Sequence, residues 1–305
     1  MGGPGYRAPV PLLRVPLDPG PTIASLVLHA VPGVEEVTTD GPDRGTARRL
    51  VRVEGRDAPV TLEARLSPDA VEVHGDAPDE ELARLARRWF GLDDDLAAVA
   101  GALDGDPLVG PLVRARPRLR ILGHLDGFEA AVQTVLGQQV SLAAARVFTG
   151  RVAAAYGAPG PDGLLVFPGA ERLAAVDPVE LQATVRVPHA RARTVVALAA
   201  ALSDAEPLAP GADLDDARRR LLAVPGIGPW TVEYLALRVL ADRDAVPVGD
   251  LVLRRGLGVE AREVLAATQG WRPWRAFGVQ HVWTSAAYLK AGRTAISSGD
   301  VGDDG

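Results

Sequence analysis

Cysteine is missing altogether from the 305 residues. That excludes disulfides, thiolate-ligated zinc and a cysteine-held iron–sulfur cluster, and it removes any thiol that could accept a methyl group. Lysine is nearly missing too: Lys290 is the single one, and every other basic side chain is arginine. An apolar run of roughly 18 residues, the length a spanning helix needs, does not occur. The glycine- and proline-rich N-terminus lacks the apolar stretch of a secretion signal, so the expected location is the cytoplasm, with no membrane contact. A basic surplus is also lacking, since the formal net charge is −6 and the isoelectric point about 5.5. Global charge therefore does not recruit a polyanion, and any contact with nucleic acid must come from local basic patches.

What is present is an ordinary globular composition, 47% hydrophobic and 24% charged, long enough to bury a sizeable core in two or three subdomains. Short alternating stretches (LLRVPL, EEVTT, RRLVRVEG, VTLEARL, AVEVHG) predict antiparallel strands, with one helix at 22–30 between the first two and another at 79–89. From there the periodicity is helical. The expected fold class is α+β: a small antiparallel α/β domain over 10–104, then a mostly helical region over 105–291 in two lobes. Residues 1–9 and the acidic, glycine-rich tail 292–305 are expected to be disordered.

The most informative stretch is 221–255, which reads helix, tight hairpin, helix, loop, helix. Asp213 is a suitable N-cap for the first helix. Pro225 and Gly226 end that helix, and Gly226 and Gly228 can take the positive φ of a short reversal. Pro229 suits the first turn of the next helix. Trp230, Tyr234 and Arg238 follow at i, i+4 and i+8, on one face. Backbone N–H groups of Gly226, Gly228 and Thr231 at that helix start can hold a phosphate. The turn's carbonyls, those of Leu222, Val224 and Ile227, could hold a monovalent cation, sodium or potassium. Asp250 stands 24 residues after Gly226, at the start of a further helix. Alone it reads equally well as an N-cap.

Taken together, V-P-G-I-G, Asp250 and three further stretches carry a more specific signal: LDGFEAAVQTVLGQQVS at 125–141, RPRLR at 116–120, and WRPWR with HVW within 271–283. The chain resembles the helix-hairpin-helix DNA glycosylase superfamily, and within it the bacterial 3-methyladenine glycosylase II family, over about residues 12–288. The resemblance implies a base-excision repair enzyme that flips an alkylated purine of 3-methyladenine or 7-methylguanine type out of double-stranded DNA and hydrolyses its N-glycosidic bond. It implies Asp250 as the catalytic carboxylate, and Trp230, Tyr234, Trp283 and Leu251 around the base. Gln139, with Gln138, would fill the gap left in the duplex. No cofactor is required on this reading, and the chain is expected to act as a monomer.

Strand-cutting relatives place a Schiff-base lysine where this chain has Trp230, so no lyase activity is expected. Two departures, Leu251 in place of a tyrosine and Ser25 in place of an aromatic, imply a less aromatic pocket. The arginines of RARPRLR (114–120) read either as part of the DNA path or as a solvated basic loop. Two other functions stay open: a non-catalytic binder of damaged DNA, and a glycosylase for another base lesion.

Overall fold

The alternation in the first 75 residues is that of a half-buried sheet, and the computed structural model, which describes residues 11–288 apart from Glu54 and Asp57, contains one. Its five antiparallel strands are β1 (Leu12–Arg14), β2 (Glu35–Thr39), β3 (Gly45–Val51), β4 (Val60–Ser67) and β5 (Ala70–Gly75), in the order β1-β5-β4-β3-β2. On β4 the period of two puts Val60, Leu62, Ala64 and Leu66 inside. On β3 the same phase turns Ala47, Arg49 and Val51 inward, so a guanidinium sits on an otherwise apolar face. Helix α1 (Pro19–His29) joins β1 to β2, and α2 (Asp79–Phe90) follows β5. Three acidic residues in the first turn of α2, two arginines in its last and a left-handed Gly91 at its end match the helix dipole and the C-cap rule. Its apolar stripe, Leu82, Leu85 and Trp89, joins Ile23 and Leu26 of α1 over the sheet.

The rest is helical: α3 (Leu96–Leu103), α4 (Gly110–Ala115), α5 (Gly127–Leu136), α6 (Leu142–Tyr156), α7 (Ala170–Ala174), α8 (Pro178–Val185), α9 (His189–Leu202), α10 (Leu214–Leu222), α11 (Pro229–Arg238), α12 (Leu251–Leu257), α13 (Val264–Ala267) and α14 (Arg275–Trp283). A small two-stranded ribbon, Ala158–Pro159 with Leu165–Val166, interrupts them. Helix α5 runs through the middle, its Val132 and Val135 sharing one core with Leu198 of α9, Leu235 of α11 and Phe277 of α14. Val99 and Leu103 belong to that core too, so α3 sides with the helical region although it precedes residue 105. No described helix is long and apolar enough to cross a membrane.

The arginines of 114–120 all have partners within the chain. Arg114 pairs with Asp104, Arg116 with Asp18 and Arg118 with Asp69. Arg120 donates to the carbonyls of Pro16 and Gly91. Arg116, Arg118 and Arg120 fasten the linker to the sheet domain, while Arg114 ties α4 to the end of α3. Lys290 and the expected disordered ends, 1–9 and 292–305, lie outside the described residues.

Candidate active site

Local chemistry builds the hairpin as expected except at Gly228, which keeps φ −110° as the N-cap of α11 and leaves the positive φ to Gly226 alone. Asp213 accepts the amides of Asp215 and Asp216 and caps α10. Gly226 has φ +90°, and a Cβ there would meet the Thr194 hydroxyl at 2.2 Å, so the position demands glycine twice over. Thr194 on α9 donates to the Pro225 carbonyl, 3.0 Å away, and so pins the turn from outside. Gly228 caps α11 with Pro229 in its first turn. Open space surrounds the place where a Gly228 Cβ would stand. The first-turn amides of Trp230 and Thr231 have no intrahelical acceptor by the geometry of a helix start.

From α11 the chain is steered to Asp250 by ion pairs. Arg218 on α10 binds Glu233 at 2.8 Å and Asp242 at 2.5 Å, and Glu233 in turn accepts the amide of Val246. The loop then turns through a bond from the Asp250 amide to the Pro247 carbonyl. Asp250 caps α12 by accepting the Leu253 amide at 2.8 Å. Its Oδ1 also takes the indole N–H of Trp283 at 2.9 Å, and its Oδ2 that of Trp230 at 3.2 Å. Three N–H donors therefore fix the carboxylate, and Oδ2, with one donor, keeps the more open face. Trp230 stacks on Tyr234 (centroids 5.4 Å apart, 21°), and Tyr234 leans on Trp283 at 5.9 Å. Arg238, 4% exposed, lies 5.6 Å over the Trp283 ring and donates to the Leu122 carbonyl.

Of the expected base-pocket residues, the structure brings Trp230, Tyr234 and Trp283 to Asp250 but not all in one role. Trp230 and Tyr234 wall an open cavity together with His29, Gln133 and Arg146. Trp283 is 4% exposed and covered by Arg238, so its indole holds the carboxylate rather than offering a face. Leu251, next to Asp250, is 51% exposed and lines neither of the two cavities beside the aromatic cluster. Ser25 is buried against a second cavity, deeper in, which it lines with Glu35, Arg49 and Glu129.

The two glutamines also part. Gln138 donates to the Gly226 carbonyl and the Thr231 hydroxyl, both at 3.2 Å, while its own carbonyl takes Arg191. It ties the α5–α6 turn to the hairpin. Gln139 is exposed in a left-handed conformation (φ 55°), raised from the surface by the turn. Of the hairpin carbonyls, that of Val224 already accepts the Ile227 amide at 3.1 Å.

Sequence reasoning missed the deep cavity's ionic floor. Arg49 donates to Glu129 at 2.5 Å and stands 4.0 Å from Glu35, its cross-strand partner. The signal was there: Arg49 is in phase with Ala47 and Val51, and Glu129 with Val132 and Leu136 along α5.

Comparison with known proteins fits this geometry. Residues 12–126 match the AlkA N-terminal domain, and residues 132–259 match the HhH-GPD superfamily of base excision DNA repair proteins. The chain is 41% identical over 293 residues to a probable bifunctional transcriptional activator/DNA repair enzyme AlkA of Mycobacterium tuberculosis, covering 92% of this chain but 56% of that one. This chain thus spans about half the length of that relative. It is 34% identical to DNA-3-methyladenine glycosylase 2 of Escherichia coli, over 88% of this chain and 94% of that one. Among solved structures, a 3-methyladenine DNA-glycosylase from Archaeoglobus fulgidus shares the fold, with TM-score 0.74 at 18% identity over 92% and 98% of the two chains. An 8-oxoguanine glycosylase/lyase of Clostridium acetobutylicum bound to double-stranded DNA shares it at TM-score 0.63 and 16% identity, over 83% and 97%.

Proposed function

Because the chain belongs to the HhH-GPD superfamily of base excision DNA repair proteins, we propose that it is a monofunctional DNA glycosylase for alkylated purines of the 3-methyladenine and 7-methylguanine type. One observation carries the reading: a carboxylate held by two indole N–H groups beside a stacked Trp–Tyr wall.

A C1′–N bond inside a stacked duplex is out of reach, so the nucleotide is turned out into the cavity. N-alkylation has already made the purine a cation and a good leaving group. The Trp230–Tyr234 wall stacks it, and π-faces favour a cation. As the bond breaks, its electron pair goes to the base and positive charge develops on the sugar. The Asp250 carboxylate, fixed in advance, faces that charge and needs no reorganisation. Water then adds at C1′ and gives its proton to Asp250, leaving an abasic site. The amides of Gly226, Gly228, Trp230 and Thr231 are suited to hold one backbone phosphate, and the bare surface at Gly228 lets it come close. Gln139, exposed in the α5–α6 turn, would fill the gap left in the duplex. Trp230 occupies the place of a Schiff-base lysine, which supports hydrolysis without strand cutting.

A sodium or potassium ion at the hairpin is part of the proposal. The carbonyls of Leu222, Val224 and Ile227 would hold it, that of Val224 with its second lone pair, and the ion would stiffen the phosphate-binding turn.

The test is chromatography of bases released from methylated duplex DNA, with Asp250→Asn alongside. Wild type should release 3-methyladenine. The variant should lose about 10³-fold in turnover and keep its affinity for the lesion. Tight binding without release by the wild type would mean a damage-binding protein instead.

A further inference from the structure

Behind the aromatic wall lies the second cavity, and it is polar. It shares His29, Gln133 and Tyr234 with the outer one, so the two are contiguous. Its far side is formed by the sheet domain through Ser25 and Glu35 and by the helical region through Glu129 and Arg238. A base stacked on Tyr234 in the outer cavity would turn one edge toward this floor.

Most donors around the floor are already committed, the buried Arg49 Nε being one that has no acceptor among the described residues. Gln133 Nε2 donates to the His29 carbonyl at 2.9 Å, and His29 Nδ1 to the Ser25 carbonyl at 2.7 Å. Arg238 Nη1 donates to Leu122, and Arg49 Nη2 to Glu129. One acceptor is left over. Glu35 has an 8% exposed side chain, its Oε2 stands 4.0 Å from Arg49 Nη1, and its Oε1 has no hydrogen-bond partner among the described residues. A buried carboxylate oxygen without a donor is a costly thing to leave in a fold unless a ligand completes it. An N–H group completes it. A carbonyl oxygen in the same place would face Glu35 lone pair to lone pair.

We propose that Glu35 reads the extrahelical base, its free Oε1 accepting a hydrogen bond from the exocyclic amine of a 6-aminopurine, so that adenine-type lesions are preferred over purines without that donor. The inference rests on the glycosylase reading for where the base comes from, but not for whether the cavity selects it.

Burial pushes the Glu35 carboxyl up to about 7, helped by Glu129 and opposed by Arg49 and Arg146. The groups facing it are Arg49 from β3, Glu129 from α5, Arg146 from α6 and His29 from α1. The arginines do not titrate near neutrality, and His29 is held down at about 4 by its own burial. Above about pH 7 Glu35 is an anion and accepts the amine; below it the carboxyl takes up a proton and the preference weakens.

The experiment is tryptophan-fluorescence titration of the full chain with two free bases, 3-methyladenine and the same ring without its amine, 3-methylpurine. Free bases need no turnover, so absence of glycosylase activity would be seen separately, in the release assay. At pH 8 the wild type should bind 3-methyladenine about tenfold tighter, and by less at pH 6. Glu35→Met, of similar volume but without an acceptor, should bind the two equally. Glu35→Gln keeps an acceptor and should keep most of the preference while losing its pH dependence. If the methionine variant does not fold, as read by thermal melting, the glutamine variant decides alone. Equal binding of both bases by the wild type, a preference kept by Glu35→Met, or a pH dependence kept by Glu35→Gln would each overturn the proposal. So would failure of the wild type to bind either base.

Discussion

Two regions of the molecule meet at the aromatic wall, and they are built in opposite ways. On the hairpin side the carboxylate is held by N–H donors from three helices, those of Leu253, Trp230 and Trp283, and its loop by Arg218, Glu233 and Asp242, all within about 35 residues of it. On the sheet side the floor is a charge cluster assembled across the chain, with Arg49 and Glu129 80 residues apart. The first region is ordered by caps and N–H donors, which work half in water. The second depends on burying one guanidinium between two carboxylates, where an error in any partner leaves a naked charge. Precision at the carboxylate therefore comes from a cap and two indole N–H donors within the helical region, and the shape of the base's far contact from the docking of two domains.

The sharpest way to break this contrast is Arg49→Leu. It would leave Glu129 and Glu35 without their cation, and the chain should lose about 3–5 kcal/mol of unfolding free energy in urea. The helical core and the Asp250 hydrogen bonds are not touched directly. A loss below about 1 kcal/mol would mean that the cluster is no more than a solvated surface pair.

Gly226→Ala probes the other side with a smaller effect. An alanine must take φ near +90° and push into Thr194, which should cost about 1–3 kcal/mol. Affinity for duplex DNA should fall with it, because the turn presents the phosphate site. Undamaged affinity, measured by fluorescence anisotropy, would move the phosphate contact elsewhere.

How much of each region could be read in the sequence follows from the same contrast. The hairpin, its glycines and the carboxylate were legible because glycine, proline and N-cap residues act on their own neighbourhood. The strands were legible from their period of two. The in-phase charges at Arg49 and Glu129 announce that a partner is needed, but which one is settled only when α5 packs on β3. Likewise no local rule says that the Trp283 indole turns its N–H to Asp250, that Gln138 folds onto the hairpin, or that three of the linker arginines are used up by Asp18, Asp69 and Asp104.

Trp283→Phe tests the finest part of the hairpin side. An aromatic ring stays, smaller than the buried indole, and one N–H donor to Asp250 goes. Turnover should fall about tenfold with little change in substrate affinity, since the donor positions the carboxylate rather than the base. An equal loss in affinity would place Trp283 against the base after all.

The smallest effect expected is a pH dependence, and it sets the two regions against each other in sign. His29 and His281 are held at about 4 by burial, and His124 well below its ordinary value. Between about pH 6.5 and 4 the unfolded chain binds protons that these buried imidazoles refuse, so stability is lost as the pH falls through that window. Glu35 does the reverse. Its carboxyl is raised from the ordinary 4.5 to about 7, so the folded state takes up a proton first, and stability is gained as the pH falls from about 7 to 4.5. Glu129, raised in the same direction, adds to this. In the wild type the two trends offset each other over the overlap. Glu35→Gln removes one proton uptake and leaves the histidines. Urea unfolding at pH 7.5, 6 and 5 should show the variant losing stability on acidification more steeply than the wild type. Parallel slopes would mean that Glu35 is already ionised throughout, with its charge fully answered by Arg49.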